Sequence, residues 1–143
     1  MNAKMLTQGA ETTYAVVFET GDEVMAGLTA FAREHRLDAG RLTAIGGFSA
    51  ATLGFFEVER KEFRKIPIAE QVEVLSLVGD ITLDNGKPMV HAHVVVGTAD
   101  GTARGGHILE AHVRPTLEVI VVESPNILHR AYDPATGLAL IEL

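Results

Sequence analysis

Hydrophobic and polar residues alternate most clearly over "KPMVHAHVVVG", residues 87–97. Successive side chains on a strand point to opposite faces. Val90, Ala92, Val94 and Val96 therefore share one wholly apolar face that must meet a core, while Met89, His91, His93 and Val95 share the other. The preceding "QVEVLSLVGDITL" alternates early and then turns apolar throughout, as in a strand covered on both faces. "DNG", residues 84–86, is a hairpin signal between the two runs, and Pro88 sits near the start of the return strand. "TYAVVFET" (13–20) and "LEVIVVE" (117–123) read as further strands. "RLTAIGGFSAATLGFFEVER" predicts one or two strands, bent or bulged at Gly46 and Gly47. "TADG" (98–101) is a turn, and "ILHRAYDPATGLALIEL" a last hairpin around residues 133–137.

One segment changes period. Val24, Leu28, Phe31 and His35 recur at helical spacing, with Asp22 as the expected N-cap, Glu23 in the first turn and an end near Arg36 or Leu37. The expected architecture is α+β: a mainly antiparallel β-sheet of about seven strands with one or two helices, joined mostly by hairpin-short connections. There is no repeat, low-complexity tract or linker, and 143 residues suit a single domain over 1–143.

Composition narrows the chemistry. The chain has no cysteine, which excludes disulfides, thiolate metal sites and a cysteine nucleophile. A transition-metal site must then use His, Asp, Glu or water. "MNAKMLTQGAETTY" lacks the apolar centre of a secretory signal, and no apolar run approaches the ~20 residues that span a bilayer, so the cytoplasm is the expected location, with no membrane partner. Twelve Lys and Arg oppose nineteen Asp and Glu, a net charge of −7. Nucleic acid is held by neutralising phosphates with Lys and Arg, so this balance disfavours DNA as a partner, although a local patch would suffice. The one basic run, "RKEFRK" (60–65), reads as a solvated surface segment.

Four of six histidines fall between residues 91 and 112. His91 and His93 project in parallel from one strand face, away from the core, and His107 follows Gly105 and Gly106, which permit close backbone approach. Three imidazoles leave an open position on an ion, the arrangement of a catalytic rather than a closed structural zinc. If residues 107–113 are extended, His107 shares a face with Leu109, Ala111 and Val113, and His112 lies opposite and is the weaker candidate. The competing reading is a packed polar cluster at a subunit interface. Asp80, Glu73, Glu110 and Glu118 are candidate acids, bases or partners of a histidine, and spacing singles out none of them. P-loop and nucleophile-elbow motifs are missing.

The order of "GDEVMAGLTAFAREHRL", "LTAIGGFSAATLGFF", "VEVLSLVGDITL", His-x-His, "GGHIL" and "TLEVIV" resembles the plant and prokaryote conserved (PPC) domain over nearly the whole chain. The resemblance implies the PPC fold assembled as a homotrimer, and carries a zinc-type metal site onto His91, His93 and His107. Bacterial members are often labelled predicted DNA-binding proteins, but in plant members an AT-hook outside the domain contacts DNA, and no such hook occurs here. The expected role is binding or regulation with zinc or another divalent transition metal. The alternatives are a DNA-binding or transcription-associated protein, and a metal-dependent enzyme whose catalytic residues and substrate are unassigned.

Overall fold

A computed structural model describes residues 1–7 and 9–143. Among these, nine strands and one helix form: β1 (Asn2–Thr7), β2 (Thr12–Glu19), α1 (Val24–Glu34), β3 (Gly40–Glu57), β4 (Glu62–Ile68), β5 (Val72–Asp84), β6 (Lys87–Gly97), β7 (Ala103–Glu123), β8 (His129–Asp133) and β9 (Leu138–Glu142). The α+β class and mainly antiparallel sheet are as expected, with two more strands than anticipated.

Two long strands organise the sheet. β7 pairs with β3 along both of their lengths, β3 also pairs with β5, and β6 bridges β5 to the first residues of β7. The path β3–β5–β6–β7–β3 therefore closes on itself, and β2 with β1 extends it beyond β7. Closure needs the long strands to bend. β3 does so at Gly46 and Gly47, where its registers shift. Gly46 has φ 152, a value that side chains rarely adopt, and a Cβ there would collide with the Thr116 carbonyl.

The inner surface carries the core. Val90, Ala92, Val94 and Val96 of β6 are all buried, as their alternation predicts, together with Leu42, Phe48, Leu77 and Ile81. Helix α1 covers this surface with Val24, Leu28 and Phe31 and packs against β6 and β7. Its N-cap is Glu23 instead of Asp22. The Glu23 carboxylate accepts from Met25 N, Ala26 N and Ala111 N, which fastens the helix start to β7. Asp22 turns back to accept from Glu19 N. The helix ends at Glu34, slightly early, because Arg36 adopts φ 54 and Leu37 N closes onto Ala32 O, which buries Leu37 completely.

Three features depart from expectation. β1 forms only as the antiparallel partner of β2. The basic run supplies the turn into β4 and its first residues, and β4 pairs with β3. Arg60, Arg64 and Lys65 stay exposed, and the Arg60 and Arg64 charges face Glu57 and Glu62. Finally, residues 103–123 form one strand, and the register between Thr52 and Leu53 skips Leu109. That bulge changes the phase. Ile108 is buried alongside Ala111 and Val113, so the predicted common face of His107, Ala111 and Val113 does not persist past Leu109.

The outer surface of the same sheet carries an apolar cluster interrupted by Thr43 and Glu118. Ile45, Leu75, Val78 and Ile120 line one shallow depression and are 61%, 52%, 52% and 40% exposed; Val95 lies beside them. Val78 is directly opposite His93, so this surface runs up to the histidines.

Candidate metal site

Two tight turns place the histidines. Asn85 and Gly86, at φ 49 and φ 73, make the two-residue hairpin that sets Asp84 against Lys87. Four residues further along each strand, Asp80 comes opposite His91. The next turn is tied by Gly101 N to Thr98 O and by the Asp100 carboxylate, which accepts from Thr102 N. It sets Gly97 against Ala103, and so His93 against His107. Glycines permit the last approach. A Cβ on Gly106 would lie 2.7 Å from Gly54 O, and one on Gly54 would lie 2.8 Å from the Phe63 ring. Phe63 of β4 then packs edge-on against His107, with ring centres 4.9 Å apart.

The three rings converge through the same atom. His93 Nε2 lies 3.2 Å from His91 Nε2 and 3.1 Å from His107 Nε2. Three neutral imidazoles cannot satisfy one another here. His93 Nε2 carries either one proton or one lone pair, so it can make only one good hydrogen bond while facing two neighbours. A cation resolves the conflict, because all three lone pairs can point at it. Zinc–nitrogen bonds of ~2.0–2.1 Å in a tetrahedral arrangement separate ligand nitrogens by about 3.3 Å, close to both observed contacts. The donor set therefore fits a divalent transition ion and could hold one.

Burial disfavours the charged imidazolium at two of the three donors. Burial, followed by the charges of His93 and His91, pushes His107 down to about 4. Burial and then the neighbouring His91 also lower His93. Asp80 separates from the other acids named from sequence. Burial alone would raise its pKa, but hydrogen bonds from His91 and Arg130 and the arginine charge outweigh burial and hold it below the usual carboxylate value. Its Oδ2 lies 3.5 Å from His91 Nδ1, and its Oδ1 accepts from Arg130 Nη2 at 2.6 Å. The other histidines lie elsewhere. His112 Nε2 is 3.1 Å from the Glu110 carboxylate, His35 stacks on Phe31, and His129 begins β8.

The cluster opens into a pocket of about 450 Å³. Its polar side chains are the three histidines and Arg130, and the rest are apolar, including Met25, Phe63, Leu109, Leu138 and Leu140. Arg130 and Phe63 carried no signal in the sequence as isolated residues. Asp80 was named from the sequence but not singled out, although counting back from the Asp-Asn-Gly turn would have set it against His91.

A bent antiparallel sheet that closes through its two long strands, with one covering helix and three convergent imidazoles, defines the class. Within that class the chain belongs to the Plants and Prokaryotes Conserved (PCC) domain family, whose model matches residues 5–125. Among solved structures it is similar to a metal-containing protein of Archaeoglobus fulgidus, at 32% identity and TM-score 0.84, covering 92% of this chain and 93% of that one. It is also similar to a protein of Bacteroides thetaiotaomicron with a provisional DNA-binding designation, at 27% identity and TM-score 0.88, covering 98% and 96%. Among curated proteins it is 31% identical over 135 residues to the bifunctional protein GlmU of a Synechococcus strain; the match takes in 92% of this chain but only 20% of that protein's length.

Proposed function

We propose that this chain is a metal-binding member of its family with a binding or regulatory role. His91, His93 and His107 hold one divalent transition ion, zinc foremost, through Nε2, and leave a coordination position open toward the apolar pocket. The observation that carries this reading is the meeting of three Nε2 atoms that cannot all pair among themselves. The Archaeoglobus relative, itself metal-containing, supports it. An ion held by the three histidines would supply Lewis acidity beside the apolar pocket. A hydrolytic or lyase reaction is the enzymatic variant of the same reading.

The homotrimer belongs to this proposal. Exposed apolar side chains that cluster on one face mark an interaction surface. Copies of this chain covering Ile45, Leu75, Val78 and Ile120 would bury that surface next to His93. Against DNA as the partner stand the net charge of −7 and the pairing of Arg60 and Arg64 with Glu57 and Glu62.

Elemental mass spectrometry on untagged protein purified without chelator tests the site. One transition ion per chain is expected, and none after His91→Ala with His93→Ala. A protein that arrives empty and refuses added zinc refutes the reading. Light scattering tests assembly: the wild type should have the mass of three chains, and Val78→Glu should give folded monomer. A monomeric wild type removes the trimer.

A further inference from the structure

The C-terminal hairpin, β8 with β9, is lightly attached to the sheet. Its backbone joins β5 through the parallel pairs Leu83–His129 and Asp84–Arg130 and a bond from Leu83 N to Leu128 O. Lys61 Nζ also donates to Pro134 O at its tip. A further tie is one buried side chain. Arg130 is only 6% exposed and reaches back under the hairpin. Its Nε donates to Thr82 Oγ1 at 2.8 Å, its Nη1 to Ala139 O of β9 at 2.8 Å, and its Nη2 to Asp80 Oδ1 at 2.6 Å. Thr82 is fully buried. The guanidinium therefore links β5, β8 and β9, and its charge partner is the carboxylate beside His91.

His91 Nδ1 has two neighbours: Asp80 Oδ2 at 3.5 Å and Arg130 Nη2 at 3.3 Å. They demand opposite tautomers. Arginine only donates, so it pairs with a bare Nδ1, which leaves the proton on Nε2 and spoils that nitrogen as a ligand. A carboxylate only accepts, so it pairs with Nδ1–H and leaves Nε2 bare toward His93. An ion on Nε2 selects the second state.

We propose that the β8–β9 hairpin is a working part of the histidine site, with Arg130 as a positioning residue. Arg130 fixes Asp80, Asp80 accepts from His91 Nδ1–H, and His91 Nε2 is thereby aimed at the ion. Ion binding and hairpin docking then stabilise one another, because linkage is reciprocal. The hairpin also walls the pocket with Leu138 and Leu140, so its release opens the pocket and loosens the ion in one movement. The hairpin lies beyond residue 125, where the family match ends. This inference rests on the metal reading above and adds its regulation.

Hydrogen–deuterium exchange on the wild type, with and without zinc, is the first test. Zinc should slow exchange of the amides in residues 129–142 by about tenfold or more. Competition with a chromogenic chelator then measures affinity. Arg130→Lys and Asp80→Asn should each weaken zinc binding about 10–100-fold, and Asp80→Glu should recover part of it. The ¹⁵N shifts of the His91 ring should report a protonated Nδ1 in the zinc-loaded wild type and a tautomer mixture in Asp80→Asn. Zinc bound at unchanged affinity by Arg130→Lys, with exchange over 129–142 indifferent to zinc, overturns the linkage and leaves the metal site standing. Failure of the wild type to bind zinc in the chelator assay overturns both.

Discussion

Strand β6 has two faces with opposite duties. Val90, Ala92, Val94 and Val96 look inward and are 8% exposed or less. His91 and His93, interleaved with them, look outward and meet His107. The inner face gains from being interchangeable: any apolar group of the right volume holds the sheet to α1. The outer face gains from being particular, since an Nε2 displaced by an ångström no longer meets its two neighbours. Stability and chemistry are thus separated by a single Cα step, and substitutions one residue apart should fail in different ways.

The largest effect should come from the inner face. Val94→Asp places an unpaired charge in the core, at a cost of roughly 4 kcal/mol or more. No cooperative melt by circular dichroism is expected, and a normal melt would show that β6 is not a core strand. His91→Ala with His93→Ala should instead melt within about 1 kcal/mol of the metal-free wild type, while zinc affinity falls by more than about 100-fold, since loss of a mere outer-shell partner costs 10–100-fold. A double variant that unfolds would erase the distinction between the faces. Gly106→Ala straddles it. The new Cβ meets Gly54 O, so about 1–3 kcal/mol of overpacking is expected, together with weaker zinc binding as His107 is pushed aside. Normal melting and normal affinity would show that the β3–β7 approach can relax freely.

Acid gives the gentlest test. His107 is depressed to about 4 from the ordinary 6.5 by burial and its two neighbours. Between these values the unfolded chain takes up a proton that the folded chain refuses. The His107 contribution to the stability of the metal-free protein should therefore be fully present above pH 6.5, be lost as the pH falls toward 4, and level off below, where protonation of carboxylates held low, Asp80 among them, continues the decline. His93, also lowered, acts in the same direction. His107→Phe should flatten that slope. Bound ion should leave over the same acid range, because protons compete for the same nitrogens.

What could be read before folding was whatever is local. The β6 alternation, the Asp-Asn-Gly turn, the α1 periodicity and the last hairpin all depend on neighbours within about ten residues, and all are present. The trio itself spans 91–107, with only a five-residue connection to cross. Asp80 was equally within reach, because a two-residue turn fixes every pair beyond it until a bulge intervenes. What escaped is non-local. β1 acquires its strand character from β2, and β4 from β3. The bulge at Leu109 reflects the mismatch of two long strands and leaves no mark in either sequence. Arg130 reaches Asp80 from fifty residues away. The N-cap moved from Asp22 to Glu23 because the longer side chain also reaches Ala111 N, a group that belongs to another element.

The double pairing of β7 has a consequence for how the molecule comes into being. On the ribosome, β2 emerges early, yet its partner on the sheet side is β7: Thr12 lies opposite Glu123, and Glu19 opposite Thr116. Most of the chain must be synthesised while β2 has no place to dock there. Such long-range closures slow folding and leave strand edges bare to other chains in the interval. The β6–β7 hairpin that brings His93 to His107 needs no such wait. The three imidazole nitrogens can meet before the sheet around them has closed, and the walls of the pocket arrive last.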